Sequence, residues 1–259
     1  MKWPTLLGVL FGLFAATVSA QTTVVYVTDD DGNVGQYNVS NSNTTVLGSL
    51  TASGFTASQV IGLAYDSTTN GVLLFDRSAN TVYTMDATTG VTTVLFNTPG
   101  VSFQGGAVFG GLVYGINEST QRLAAYTFAG VAQTLSGASL TGHAHSLGVN
   151  SDTETLIAMT STAGIRHLNP DGTEGDIILT SSQTGSKGSE DIAYYGGDYL
   201  VASYDRQLYL VNGSTGVSSV FLTTAQLTAM GITGSVSGVD LNFQAVPEPG
   251  TWALLLVGI

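Results

Sequence analysis

From Val24 to Leu241 the chain is a succession of short apolar runs separated by Gly, Asn, Asp, Ser and Thr. Such runs, rich in Val, Ile, Leu, Tyr and Phe and bounded by turn-forming residues, predict β-strands. They fall into sets. A small-residue-rich run opens each set: Ile61–Tyr65, Gly106–Phe109, Ser146–Val149, Ile192–Tyr195 and Gly238–Leu241. After the first four of these come second runs (Val72–Phe75, Leu112–Gly115, Thr155–Ala158, Tyr199–Ala202) and third runs (Thr81–Met85, Leu123–Tyr126, Gly164–Leu168, Gln207–Val211). Fourth runs follow at Thr93–Phe96, Ala132–Leu135, Asp176–Leu179 and Ser219–Leu222.

The sets recur about every 40 to 46 residues, the length of a four-stranded propeller blade. Asp86–Gly90, Asn169–Gly172 and Asn212–Gly216 join third to fourth runs, each with Asp or Asn first and Gly last. The side chain at the head of such a turn bonds to backbone N–H groups, and Gly supplies the positive φ. Gly62, Ala64, Gly105, Gly106, Ala107, Gly148 and Ala193 lie on the opening runs, where small side chains relieve crowding at a propeller axis. The two ends complement each other. Residues 24–50 carry a second, third and fourth run without a first, and residues 236–243 carry a first run alone. The expectation is an all-β fold, a β-propeller of five four-stranded blades whose last blade is closed by N- and C-terminal strands. Closure hides sheet edges that would otherwise invite aggregation. A β-sandwich does not need a repeat near forty residues, and a β-solenoid has a shorter one. Val25-Tyr26-Val27-Thr28-Asp29, followed by Asn33-Val34, resembles YVTN-type surface propeller repeats, and Leu74–Tyr83 is similar to the same repeat.

Composition narrows the function. With six Lys+Arg against eighteen Asp+Glu the net charge is −12. A surface of that sign repels nucleic acid, since it has few cations to displace phosphate counterions. It suits neutral glycans or cations. Cysteine is absent, which removes disulfides, thiol catalysis and Cys-zinc sites.

The ends read as targeting segments. Lys2 precedes an apolar run from Leu6 to Val18, and small residues at Ala16–Ala20 precede Gln21. That is the layout of a secretory signal peptide spanning residues 1–20, followed by a propeller domain over 21–245. Val246-Pro247-Glu248-Pro249 then opens an apolar run to Ile259. Its prolines lack N–H donors and bias the chain toward extended conformations. Segment 246–259 resembles the C-terminal signal of bacterial PEP-CTERM proteins, with Val246, Pro247, Glu248 and Pro249 as the sorting motif. The resemblance implies exosortase-type sorting machinery in Gram-negative bacteria that make extracellular polysaccharide. It also implies export to the cell surface or extracellular space, with a transient membrane-associated stage. Residues 251–259 are fewer than the roughly 20 apolar residues a membrane helix needs, so the segment is incomplete against the family pattern.

No G-x-S-x-G, H-E-x-x-H, P-loop or G-x-G-x-x-G occurs, so no catalytic residue is assigned. His143 and His145 enter the third opening run and Glu190 and Asp191 the fourth. Inner-strand entrances gather around one mouth of a propeller's axial channel. These four residues are therefore candidate ligands for a divalent metal ion, as imidazoles and carboxylates suit zinc. Gln59, Gln104 and Ser237 are candidate binding residues on the same rim. Two functions follow. One is a surface or matrix propeller without cofactor, a binding or structural module that meets extracellular polysaccharide or surface proteins. The alternative is a metal-dependent propeller hydrolase or lyase with its site at the channel mouth. Asp29-Asp30-Asp31-Gly32-Asn33 lacks the spacing of an EF-hand loop and reads as a solvated hairpin turn.

Overall fold

The computed structural model describes residues 22–56, 59–161, 164–184 and 189–242. The expected signal peptide 1–20 and the expected sorting motif 246–249 lie outside them. The described residues form five four-stranded antiparallel sheets. One blade comprises β1 (Val24–Asp29), β2 (Asn33–Asn38) and β3 (Asn43–Ser49), completed by β20 (Val236–Leu241) on the inside. The next contains β4 (Val60–Asp66), β5 (Gly71–Asp76), β6 (Thr81–Asp86) and β7 (Thr92–Asn97). Then follow β8 (Phe103–Phe109), β9 (Leu112–Asn117), β10 (Arg122–Tyr126) and β11 (Ala132–Gln133). The fourth blade is β12 (Ala144–Asn150), β13 (Thr155–Thr160), β14 (Gly164–Leu168) and β15 (Glu174–Leu179). The fifth is β16 (Ser189–Tyr195), β17 (Asp198–Ser203), β18 (Gln207–Val211) and β19 (Ser218–Leu222). The expected five-bladed propeller is the observed fold.

The blades pack face to face through five apolar clusters, one at each interface. This is why β4 and β5 are buried along their whole length, whereas outer strands such as β7 and β19 show several exposed positions. Closure is the predicted one: β20 pairs with β1 from Val25↔Leu241 to Thr28↔Gly238. Asp29 clamps the joint. Its carboxylate accepts from the N–H groups of Asn33, Thr233 and Gly234, each at 2.9 Å, and from Asn33 Nδ2. The acidic triplet therefore belongs to the closure, and Asp30 joins it by accepting from Ser235 N.

Two features differ from the sequence pattern. Strand β11 stops at Gln133, because Leu135 turns in to pack on the cluster between the third and fourth blades. Helix α2 (Thr224–Ala229), after a short α1 (Ser181–Thr184), links β19 to β20. Thr223 and Gln226 form its capping box, and Leu227, Met230 and Ile232 are buried in the closing interface. A capping box satisfies N–H groups that the first helical turn leaves open.

Every inner strand slips its register near its start. In β12, β16 and β20 the extra residues are His145, Glu190 and Ser237, and in β4 and β8 the slip falls at Gly62 and Gly105. Gly62 and Gly105 adopt φ of +107° and +64°, and a Cβ on either would sit within 2.8 Å of the next inner strand's backbone. Strand convergence at the axis thus demands glycine at these two slips.

Candidate functional site

The channel mouth is built by a rule that repeats around the ring. The residue directly after each second strand stands on the rim: Asp30, Arg77, Glu118, Ser161 and Tyr204. The first four are pinned by their own N–H groups, which donate to the carbonyls of Ser235, Gln59, Ser102 and His143 just ahead of the neighbouring inner strands. Backbone pairing places the rim, and side-chain identity is free to carry chemistry.

Arg77 is the hub. Its Nη1 donates to Glu118 Oε1 at 2.8 Å and its Nε to Gln59 Oε1 at 3.1 Å. Glu118 also accepts from Ser102 Oγ at 3.2 Å and Gln104 Nε2 at 3.3 Å. Gln121 then links blades, donating to the Glu118 carbonyl and accepting from Ala144 N. Its Nε2 lies 3.4 Å from His143 Nε2, and His143 Nδ1 lies 3.2 Å from His145 Nε2. Burial holds the His145 imidazole below its ordinary pKa, helped by His143 and Arg77 and opposed by Glu118. It is therefore neutral at neutral pH.

Glu190 is 3% exposed. Burial pushes its carboxyl up to about 7, with Arg77 acting against the shift and Asp30 with it. Its Oε1 has no hydrogen-bond partner, and neither does Gln104 Oε1 or Ser237 Oγ. Buried polar atoms of this kind normally have partners, so these three are buried at a cost.

The seven residues expected at the mouth thus divide. Gln59 and Gln104 join the Arg77–Glu118 centre, and His143 and His145 bond to each other. Glu190 and Ser237 occupy equivalent slips without a bond to that centre. No hydrogen bond joins His145 to Glu190, and among the described residues no three His, Cys, Asp or Glu side chains converge as a metal cage. Asp191 parts from Glu190 and serves the channel interior. Its Oδ2 accepts from Leu63 N at 2.9 Å and Val239 N at 3.1 Å. Asp240 does likewise, accepting from Tyr65 N at 2.7 Å. Burial raises the pKa of both acids, that of Asp240 to about 7, and the Asp240 charge adds to the shift of Asp191.

Arg77, Glu118, Tyr204 and Asp240 were not singled out by the sequence reading. The signal for the first three was present, since each follows a second strand. Tyr204 is 59% exposed, the one large aromatic among the described residues that is not packed away.

No family model and no curated protein sequence matches the chain. Solved structures do match in shape. A chain of a nidogen/laminin complex superposes with a TM-score of 0.62 at 11% identity, covering 85% of this chain and 98% of that one. A structural-genomics protein of unknown function from Bacteroides thetaiotaomicron gives a TM-score of 0.52 at 14% identity, covering 77% of this chain and 55% of that one. At such identities the likeness speaks for the fold alone, and the fold is a five-bladed β-propeller.

Proposed function

We propose that this protein is an exported surface or matrix propeller that binds extracellular polysaccharide across its channel mouth and acts as a binding module within a biofilm matrix. The observation that carries the reading is Tyr204, an exposed ring on the same rim as Arg77, Glu118 and Asp30. An aromatic face beside fixed hydrogen-bonding groups suits the apolar faces and hydroxyls of a sugar ring. An overall charge of −12 favours a neutral or amine-bearing polymer over an acidic one. The blades are complete within residues 24–241, so the leader and the PEP motif are not needed for the ring and are available for addressing.

The test uses the full chain and the exopolysaccharide purified from its host. Tyr204→Ala should weaken binding at least tenfold, roughly 1.4 kcal/mol, without lowering the melting temperature, because the ring is exposed. Arg77→Ala should weaken it as well. Wild-type binding by both variants would remove the mouth from the account. Removal of residues 246–259 should move the protein from the cell-associated fraction to the medium, and an unchanged distribution would sink the sorting claim.

A further inference from the structure

Inner strands of a propeller bond along one edge to their second strands, and the other edge faces the axis. N–H groups on that axial edge have no strand partner and need an acceptor. Leu63 pairs with Leu74 of β5, and its N–H points away from that partner to Asp191 Oδ2. Tyr65, two residues on, gives its N–H to Asp240 Oδ2. Val239 of β20 gives its own to Asp191. Both carboxylates therefore lie on the axis, where strands β4, β16 and β20 converge.

Their charges are unanswered within the protein. The two ion pairs among the described residues are Arg77–Glu118 and Arg166–Glu174, and neither includes Asp191 or Asp240. Asp191 is fully buried and its Oδ1 has no hydrogen-bond partner. A buried carboxylate without a counter-charge is costly. Asp240 keeps some accessible surface although its strand lines the ring, and its Oδ1 accepts only from the adjacent Leu241 N among the described residues. We infer that the axial channel binds one calcium-class divalent cation between Asp191 and Asp240. Two carboxylates match the charge of one such ion, and every donor at hand is an oxygen, as a hard cation prefers. Water completes the shell, since two side chains supply only part of the six to eight ligands calcium takes. The affinity expected is that of an extracellular module, about 10⁻⁴–10⁻³ M. The site contains no histidine and does not depend on the reading of the mouth.

The geometry supplies its own probe. Tyr26 is the cross-strand partner of Asp240 and stacks on Tyr65 at 5.2 Å. Excitation of these tyrosines should sensitise terbium held at Asp240. The expected result is saturable, tyrosine-sensitised terbium emission displaced by calcium, with a melting temperature that rises on adding calcium. Asp240→Asn and Asp191→Asn should each abolish both effects while melting cooperatively in chelator. If Asp191→Asn does not fold, Asp240→Asn alone decides. Absence of sensitised emission, calcium-insensitive melting, or emission unchanged in Asp240→Asn would each overturn the inference.

Discussion

Most globular proteins lose stability as acid protonates carboxylates that the fold holds ionised. Here the axis and mouth invert that behaviour, and the inversion can be measured. Burial raises Asp240 from its ordinary 3.8 to about 7 and Glu190 from 4.5 to about 7. Asp191 shifts the same way. A group whose pKa is higher in the folded chain binds its proton more tightly there. Its contribution is complete below the unfolded value and disappears as pH climbs through the folded one. At about 1.4 kcal/mol per pKa unit, the loss is roughly 4 kcal/mol for Asp240 and roughly 3 kcal/mol for Glu190. Asp86 and Asp171 are shifted down by turn hydrogen bonds and act in the opposite direction, but both are fully solvated and weigh little. Urea unfolding in chelator at about pH 5 and about pH 8, at one ionic strength, reads the difference. Stability should fall by several kcal/mol between those two values. Asp240→Asn combined with Glu190→Gln should flatten the profile, leaving Asp191 as the residual slope. Stability that rises from the lower pH to the higher would refute the account, because it would mean that these carboxyls are ionised without penalty in the folded ring.

Three further perturbations probe how the ring is held. Asp29→Ala leaves three partly buried N–H donors of the closure without their acceptor, at roughly 1–3 kcal/mol in total after solvent takes part of their place; hydrogen exchange in β20 should accelerate along with a fall in melting temperature. Gly105→Ala places a methyl 2.6 Å from Leu147 N at a φ of +64°, and should destabilise by roughly 2 kcal/mol or more in a thermal melt, whereas Gly110→Ala, which meets no atom within 4 Å, should cost only its φ strain. Leu227→Ala empties the buried contact of α2 in the closing interface, for about 2–5 kcal/mol by denaturant unfolding.

The fold was legible because the features that define a propeller are periodic. Four runs per set, turns headed by Asp or Asn, and ends that complete one another mark the blades, and apart from the shortened β11 the strands lie where these signals put them. Part of what escaped depends on a single blade. Helix α2 occupies one connection, and its capping box at Thr223 and Gln226 lies among Thr and Gln residues that carry no repeat signal. The mouth was sought at the starts of inner strands, and Gln59 and Gln104 bond to the Arg77–Glu118 pair there. Yet the rim side chains themselves follow second strands, so the hub Arg77, its partner Glu118 and the exposed Tyr204 were missed although their spacing is regular. Glu190 and Asp191 show the limit most plainly. Neighbours in sequence, they look like a carboxylate pair for one metal. The register slip at Glu190 separates them, leaving one at the mouth and turning the other onto the axial amides of Leu63 and Val239. A one-residue slip redirects side chains, and no pattern of apolar and polar letters records where it falls. All five inner strands slip near their start, but not at one position: counted from the paired residues that follow, Gly62 and Gly105 match Ser146, Asp191 and Gly238, while His145, Glu190 and Ser237 match Ile61 and Gln104. Asp191 thus stands where three other blades carry Gly62, Gly105 and Gly238, and it is the one carboxylate at that level of the axis.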